Sequence, residues 1–451
     1  MTRTSTIPPP SVPAAPDASA DLLAAWPRDR PLAMLASHGE SPFARFSFAA
    51  SPVSERQLRG PETIETLRRE LSGPASGPDP AAERLPTGHG HFVMLGYDLF
   101  RHLEPTAIAP APPTDDRHWP DAILLRCEGG LLQHAGSTEV RGDPARVPDL
   151  EPRILPPPMV DGLRPDPVDG DYRRDVARVI EHVHAGDCFQ ANLAQRFGSN
   201  FRGSVRSLAA LAFRAAAPRY GAMLECGPGR AIVSMSPELF LETTPGRDGV
   251  AVRTRPIKGT RPSSRSVDEL EGSEKDAAEL HMIVDLMRND LGRVCRVGSV
   301  RVSQPRTIES HPTVHHGVAE ITGMLRPELG IADLVLAAFP PGSVTGAPKV
   351  RAMRIIDELE PVRRGPYCGA VGWIDDSGYA VLNVAIRTIT ATGTPLEGCD
   401  ELDGRLDYFA GCGIVAESDP EAEYRESLDK TEVFRRAIED ASAGPTGSTR
   451  R

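Results

Sequence analysis

Across 451 residues the chain is 40% hydrophobic and has a formal net charge of −11, from 51 Lys and Arg against 62 Asp and Glu. That length and apolar content support two or three domains, or one large fold with an extension. A free polyanion of this kind repels nucleic acid and anionic membranes, so an anionic substrate would need a local basic pocket.

The first 20 residues, MTRTSTIPPPSVPAAPDASA, are rich in Pro, Ser and Ala and lack the basic-then-apolar order of a signal peptide. They read as a disordered N-terminal tail. In region 21–155, ARFSFAAS and HFVMLGYDLF read as strands, and Pro and Gly punctuate 72–90 and 103–120. The stretch EPRILPPPMVDGLRPDP at 151–167 is the best candidate linker to a second region, 168–441. Seven cysteines, at 127, 188, 226, 295, 368, 399 and 412, are odd in number and never spaced C-x-x-C. That fits reduced thiols and a cytoplasmic protein, not a disulfide framework or a zinc site. No apolar run reaches the ~18–20 residues of a membrane helix.

The second region is more legible. DYRRDVARVIEHVHAGD predicts a helix with Val176, Val179, Ile180 and Val183 on one face and Gly186 at its end. Cys188–Phe197 reads as a strand. AIVSM and ELFLE flank Ser236-Pro237, and Asp276–Asp290 predicts a helix with Ile283, Leu286 and Met287 as its apolar side. The turn Thr345-Gly346-Ala347-Pro348 feeds another helix, with Pro348 suited to its first turn. YCGAVGWI and YAVLNVAIRTIT read as two strands around Asp375-Asp376-Ser377-Gly378. SDPEAEYRESL opens a final helix, capped by Ser418 or Asp419, with Pro420 in its first position. Strands and helices joined by hairpins suggest an α+β fold with large antiparallel sheets.

Several residues could carry chemistry. Asp276 with Glu279, and Glu423 with Glu426, are carboxylate pairs at i, i+3, each on one helical face. Two such faces opposed could hold a hard cation such as Mg²⁺, and each alone is also the pattern of a solvated helix. Lys258, beside Gly259, becomes nucleophilic if desolvated, and is otherwise a surface-turn lysine. Alternation puts Arg387 on the face of Asn383 and Tyr379, where its guanidinium needs a substrate carboxylate or an internal acid. The Thr345-Gly346 turn and the Gly411-Cys412-Gly413 run could present backbone N–H groups to an anion. Glu238 could protonate a leaving hydroxyl, and His316 is a possible acid or base.

Together these segments resemble the chorismate-utilising enzymes. The matching stretches are GDCFQANLAQRF, SPELF, RPIKGTRP, EKDAAELHMIVDLMRNDLGRV, FPPGSVTGAPKVRAM, RRGPYCGAVGWI, NVAIRTI and GCGIVAESDPEAEYRESLDK, in order over about 180–435, with GYDLFRHLE upstream. The resemblance implies an anthranilate-synthase-like four-layer α/β/β/α fold with two large antiparallel sheets. By the same resemblance, Asp276, Glu279, Glu423 and Glu426 match the magnesium-site acids. Gln190, Thr345, Gly346, Tyr367, Arg387, Gly411, Gly413 and Lys430 match substrate contacts. Glu238 matches the general acid and His316 the active-site histidine.

Lys258 in PIKGT resembles the aminodeoxychorismate synthases, where a lysine amine adds to the ring before ammonia does; anthranilate synthases usually have Ala there. Gln190 points the same way, because isochorismate and salicylate enzymes place a lysine at that position. Three departures stand out: Asp276 where many relatives have Glu, Cys412 in place of a small residue, and Leu35-Ala36-Ser37 where tryptophan-inhibited enzymes have LLES. The expected activity is amination of chorismate by a large synthase subunit, with ammonia from a glutamine amidotransferase partner. The alternatives are an anthranilate synthase large subunit and a catalytically inactive chorismate-binding subunit.

Overall fold

The computed structural model describes residues 18–37, 46–72, 85–167, 171–310 and 314–442. Among these, period-two alternation and buried apolar runs build two antiparallel sheets of twelve and ten strands. The larger runs Gly346–Ala347, Gln190–Ser204, Glu401–Ile414, Thr388–Pro395, Arg230–Ser236, Tyr220–Glu225, Ala33–Ala36, Phe46–Ala50, Gly129–His134, Ser137–Gly142. The smaller runs Ile257–Pro262, Val314–Met324, Gly249–Arg255, Leu239–Gly246, Ala380–Val384, Ala370–Asp375, Gly90–Leu95, Ala122–Cys127, Ser54–Leu58, with Arg301–Ser310 also on Val314–Met324.

The sheets pack face to face. Phe48 of the larger stacks on Phe92 of the smaller at 5.7 Å, and Trp373 meets both edge-on at 5.0 Å. Outside the larger sheet, Leu22, Leu208 and Phe434 bring the helices Ala18–Ala25, Val205–Ala216 and Pro420–Ser442 against Met34, Met235 and Tyr408. Outside the smaller, Ile283 and Val335 bring Glu274–Gly292 and Ile331–Ala338 against Val93, Phe240 and Ile321, while Lys349–Leu359 packs through Ala352 and Ile355 with Ala191 and Leu193 of the larger sheet. The result is the four-layer α/β/β/α order that the resemblance implies.

Four local expectations are corrected. The stretch 151–167 is no free linker: Met159–Val160 and Arg164–Pro165 pair with Gln190–Ser204, and both halves of the chain contribute to both sheets. A helix begins at Ala18, inside the segment read as tail; residues 1–17 lie outside the described residues. Pro348 is the cap before the helix Lys349–Leu359, extended at ψ 139°, rather than its first-turn residue. YAVLNVAIRTIT is not one strand. Ala380–Val384 lies in the smaller sheet and Thr388–Pro395 in the larger, and Arg387 takes φ +48° at the corner between them. Arg387 therefore shares no strand face with Asn383 and Tyr379, because alternation ends where the chain changes sheets.

Candidate active site

Two crossovers between the sheets run side by side and carry two candidate residues. Glu238 sits where the chain passes from Arg230–Ser236 to Leu239–Gly246, and Arg387 where it returns. The Val384 N–H donates to the Glu238 carbonyl at 3.1 Å, and the Met235 N–H to the Arg387 carbonyl at 2.9 Å. Ser236 Oγ donates to the Val384 carbonyl at 2.6 Å. Neither crossover can shift alone.

Lys258 reaches the same place through a bulge. The Ile257–Pro262 strand pairs Ile257 with Val318 and Thr260 with His316, and the register shifts between the two pairs. Such a bulge re-aims a side chain out of the regular alternation. Gly259 makes it possible at φ +81°, where an added Cβ would lie 2.9 Å from Asp276 Cβ. His316 is buried on the neighbouring strand, its Nδ1 2.9 Å from Thr260 Oγ1.

Facing Lys258 is the Gln190–Ser204 strand of the larger sheet. Alternation puts Gln190 and Asn192 on one face. Asn192 pairs with Gly413 in register. A Cβ on Gly413 would stand 1.9 Å from Gln190 Nε2 and 3.1 Å from Lys258 Nζ, so only glycine leaves room there. Gly346 and Gly411 are similarly tight: an added Cβ would fall 2.1 Å from the Gln190 and Leu193 carbonyls respectively. Thr345 is fully buried, and its carbonyl accepts the Asn192 N–H at 2.8 Å. Tyr367 stacks on Phe409 at 5.1 Å.

Polar atoms without partners collect here. Both side-chain polar atoms of Gln190 and Nδ2 of Asn192 are buried and unpaired. Such groups are costly to leave unmatched, so their convergence marks a cradle for a polar ligand. Burial lifts the Glu238 carboxyl from 4.5 to about 7, with Ser343 and Lys258 pulling it back. Burial lowers the Lys258 ammonium, against the attraction of Glu279 and Glu238. Burial also lowers the Arg387 guanidinium, with Tyr408 opposing. Arg387 forms no ion pair with any described residue, which leaves its fork available to a carboxylate ligand.

The four acids divide unevenly. One ligand atom each of Cys412, Glu423 and Glu426 lie within 4.8 Å of one another. Glu279, on the Glu274–Gly292 helix, is raised by burial; Lys258 opposes this, while Asp276 and Glu423 repel it further. Asp276 is instead paired with Arg261 at 2.8 Å. Lys430 Nζ donates to the Gly411 carbonyl and to Glu426, both at 2.7 Å, and so braces the cluster. The hard oxygens of Glu279, Glu423 and Glu426 suit a divalent cation such as Mg²⁺.

Sequence reasoning missed Asn192 and Ser343. Asn192 was legible as the same-face neighbour of Gln190; Ser343, in a turn, had no periodic signal. Leu35, Ala36 and Ser37 line a separate cavity with Tyr220, Tyr379 and Asn383.

The profile of the chorismate binding enzyme family matches residues 33–436, and the chain belongs to that family. The aminodeoxychorismate synthase component 1 of Salmonella typhimurium is 36% identical over 444 residues, covering 91% of this chain and 94% of that protein. Its Escherichia coli counterpart is 36% identical over 442 residues, with the same coverage. An anthranilate synthase component 1 from Streptomyces coelicolor is 34% identical over 440 residues, covering 89% of this chain and 82% of that one. The crystal structure of anthranilate synthase component I from Streptococcus pneumoniae superposes with a TM-score of 0.72 at 28% identity, covering 88% of this chain and 94% of the other.

Proposed function

We propose that the chain is the large subunit of an aminodeoxychorismate synthase, converting chorismate and ammonia to 4-amino-4-deoxychorismate for p-aminobenzoate and folate synthesis. The observation that carries this reading is Lys258, bulged into a polar cradle with Glu238 as its neighbour. The Lys258 amine adds to ring carbon C2. The C4 hydroxyl, a poor leaving group, departs as water on taking the Glu238 proton. Ammonia then forms a bond to C4, the C2–nitrogen bond breaks, and Lys258 is released. Covalent catalysis thus splits one hard displacement into two easier ones.

Arg387 would hold a carboxylate of the dianionic substrate, with Tyr367, Gln190 and the Thr345-Gly346 and Gly411–Gly413 backbones shaping the rest. Glu279, Glu423 and Glu426 would hold Mg²⁺, with Asp276 acting from its ion pair with Arg261. When bound, the ion supplies positive charge for a substrate carboxylate and relieves the repulsion among the acids. His316 sits beside the lysine strand as a hydrogen-bonded support. Ammonia would come from a separate glutamine amidotransferase subunit, as the component 1 naming of the relatives suggests. The seven free cysteines fit a reducing cytoplasm.

The test mixes enzyme, Mg²⁺ and chorismate without ammonia. An adduct heavier by chorismate minus water is expected on the peptide containing Lys258, and Lys258→Ala is expected to lose both the adduct and product formation. A Lys258→Ala variant that makes 4-amino-4-deoxychorismate at the wild-type rate would refute the covalent role of the lysine, and a wild-type enzyme that releases anthranilate would shift the assignment to anthranilate synthase.

A further inference from the structure

We infer that Asn192 is a positioning residue for the Lys258 amine, holding Nζ through its side-chain carbonyl so that the nitrogen lone pair faces the substrate. The inference rests on the lysine reading given above. Asn192 Oδ1 accepts from Lys258 Nζ at 3.5 Å, a distance that leaves the contact room to tighten around a ligand. The rest of the asparagine is clamped. Its N–H donates to the Thr345 carbonyl at 2.8 Å, and its carbonyl accepts from Arg364 Nη2 at 2.5 Å. Arg364 is itself buried, paired with Glu360 at 2.6 Å and set over the Tyr97 ring at 4.5 Å. The opposing register position is Gly413, so no side chain separates Asn192 from Lys258.

A neutral acceptor suits this task. A primary amine that donates one N–H to Oδ1 keeps its lone pair free and has its direction fixed. Glu238, Glu279 and Glu426 face the same ammonium and favour its charged form, while Lys430 opposes it. A fourth carboxylate in place of Asn192 would hold the proton on Nζ, whereas an amide orients the nitrogen without doing so. The unpaired, buried Nδ2 leaves a second donor for the substrate.

The test measures the single-turnover rate of adduct formation by the full chain with Mg²⁺ and chorismate, without ammonia. Asn192→Ala is expected to slow that rate about tenfold, the order of one lost hydrogen bond. The chorismate concentration giving half the maximal rate is expected to stay within about twofold of wild type, since positioning affects the chemical step more than binding. Asn192→Asp restores an acceptor oxygen but adds charge. Its rate is expected to be low near neutrality and to keep rising with pH beyond the point where wild type levels off.

Two results overturn the role of Asn192: an Asn192→Ala rate equal to wild type, or both variants losing amplitude in proportion to unfolded protein while keeping the wild-type pH profile. A wild-type enzyme that forms no adduct at all refutes the lysine reading, and this inference with it. An adduct in wild type with unmoved variants refutes this inference alone.

Discussion

Glu238→Gln separates the chemical from the structural consequence of burying an acid. Wild-type Glu238 is 3% exposed, and burial lifts its carboxyl from 4.5 to about 7. At ~1.4 kcal/mol per tenfold change in proton affinity, the ionised form costs folding about 3 kcal/mol. The sign follows from proton counting. Between pH 4.5 and about 7 the folded state binds more protons at this site than the unfolded one, so stability falls as pH rises through that window. The full cost is present above it and absent below 4.5. Glutamine keeps the shape without the charge, so the variant is expected to gain up to about 3 kcal/mol over wild type at pH 8 and much less at pH 5. Urea unfolding of both proteins, metal-free, at the two pH values gives the difference directly. The same variant is expected to form no chorismate adduct, because it offers no proton to the departing hydroxyl. A variant with the wild-type slope of stability against pH would refute the argument from burial, and one that forms the adduct normally would refute the general-acid role.

Three further expectations follow from the site. Gly413→Ala drives a methyl against Gln190 and Lys258; with the amine displaced by about an ångström, turnover is expected to fall about 100-fold while circular dichroism stays native, and wild-type turnover would contradict the packing argument. Excess EDTA is expected to abolish activity and added Mg²⁺ to restore it, with Glu279→Gln folded but demanding more Mg²⁺; full activity in EDTA would end the metal proposal. The purified chain is expected to use ammonium salt alone and glutamine only with a separate amidotransferase subunit, so glutamine-dependent synthesis by the single chain would exclude the partner.

Much of the site was legible because its residues sit in short, ordered motifs whose chemistry is unusual. Lys258 beside Gly259 announced a tight turn, and the bulge supplies it. The i, i+3 acids were visible as pairs, and two of the four do converge with Cys412. What the sequence could not convey was the change of sheet. A run such as YAVLNVAIRTIT has continuous strand propensity, and nothing local marks Ala385–Arg387 as a corner, because the corner is imposed by the Glu238 crossover beside it. The pairing of Asp276 with Arg261 was hidden for a related reason: it depends on how a strand meets a helix, and the intervening stretch gives no periodic cue.

The interleaving of the two halves has a consequence for biogenesis. Leu95 pairs with Ala370 and Ala33 with Leu224, so strands made early are completed by strands made late. While the ribosome is still extending the chain, the apolar strand Gly90–Leu95 and its partner Ala122–Cys127 present a bare sheet edge to the cell. Folding of such a high-contact-order topology is slow and exposed to aggregation. Slower translation or added chaperone is then expected to raise the folded yield of this chain.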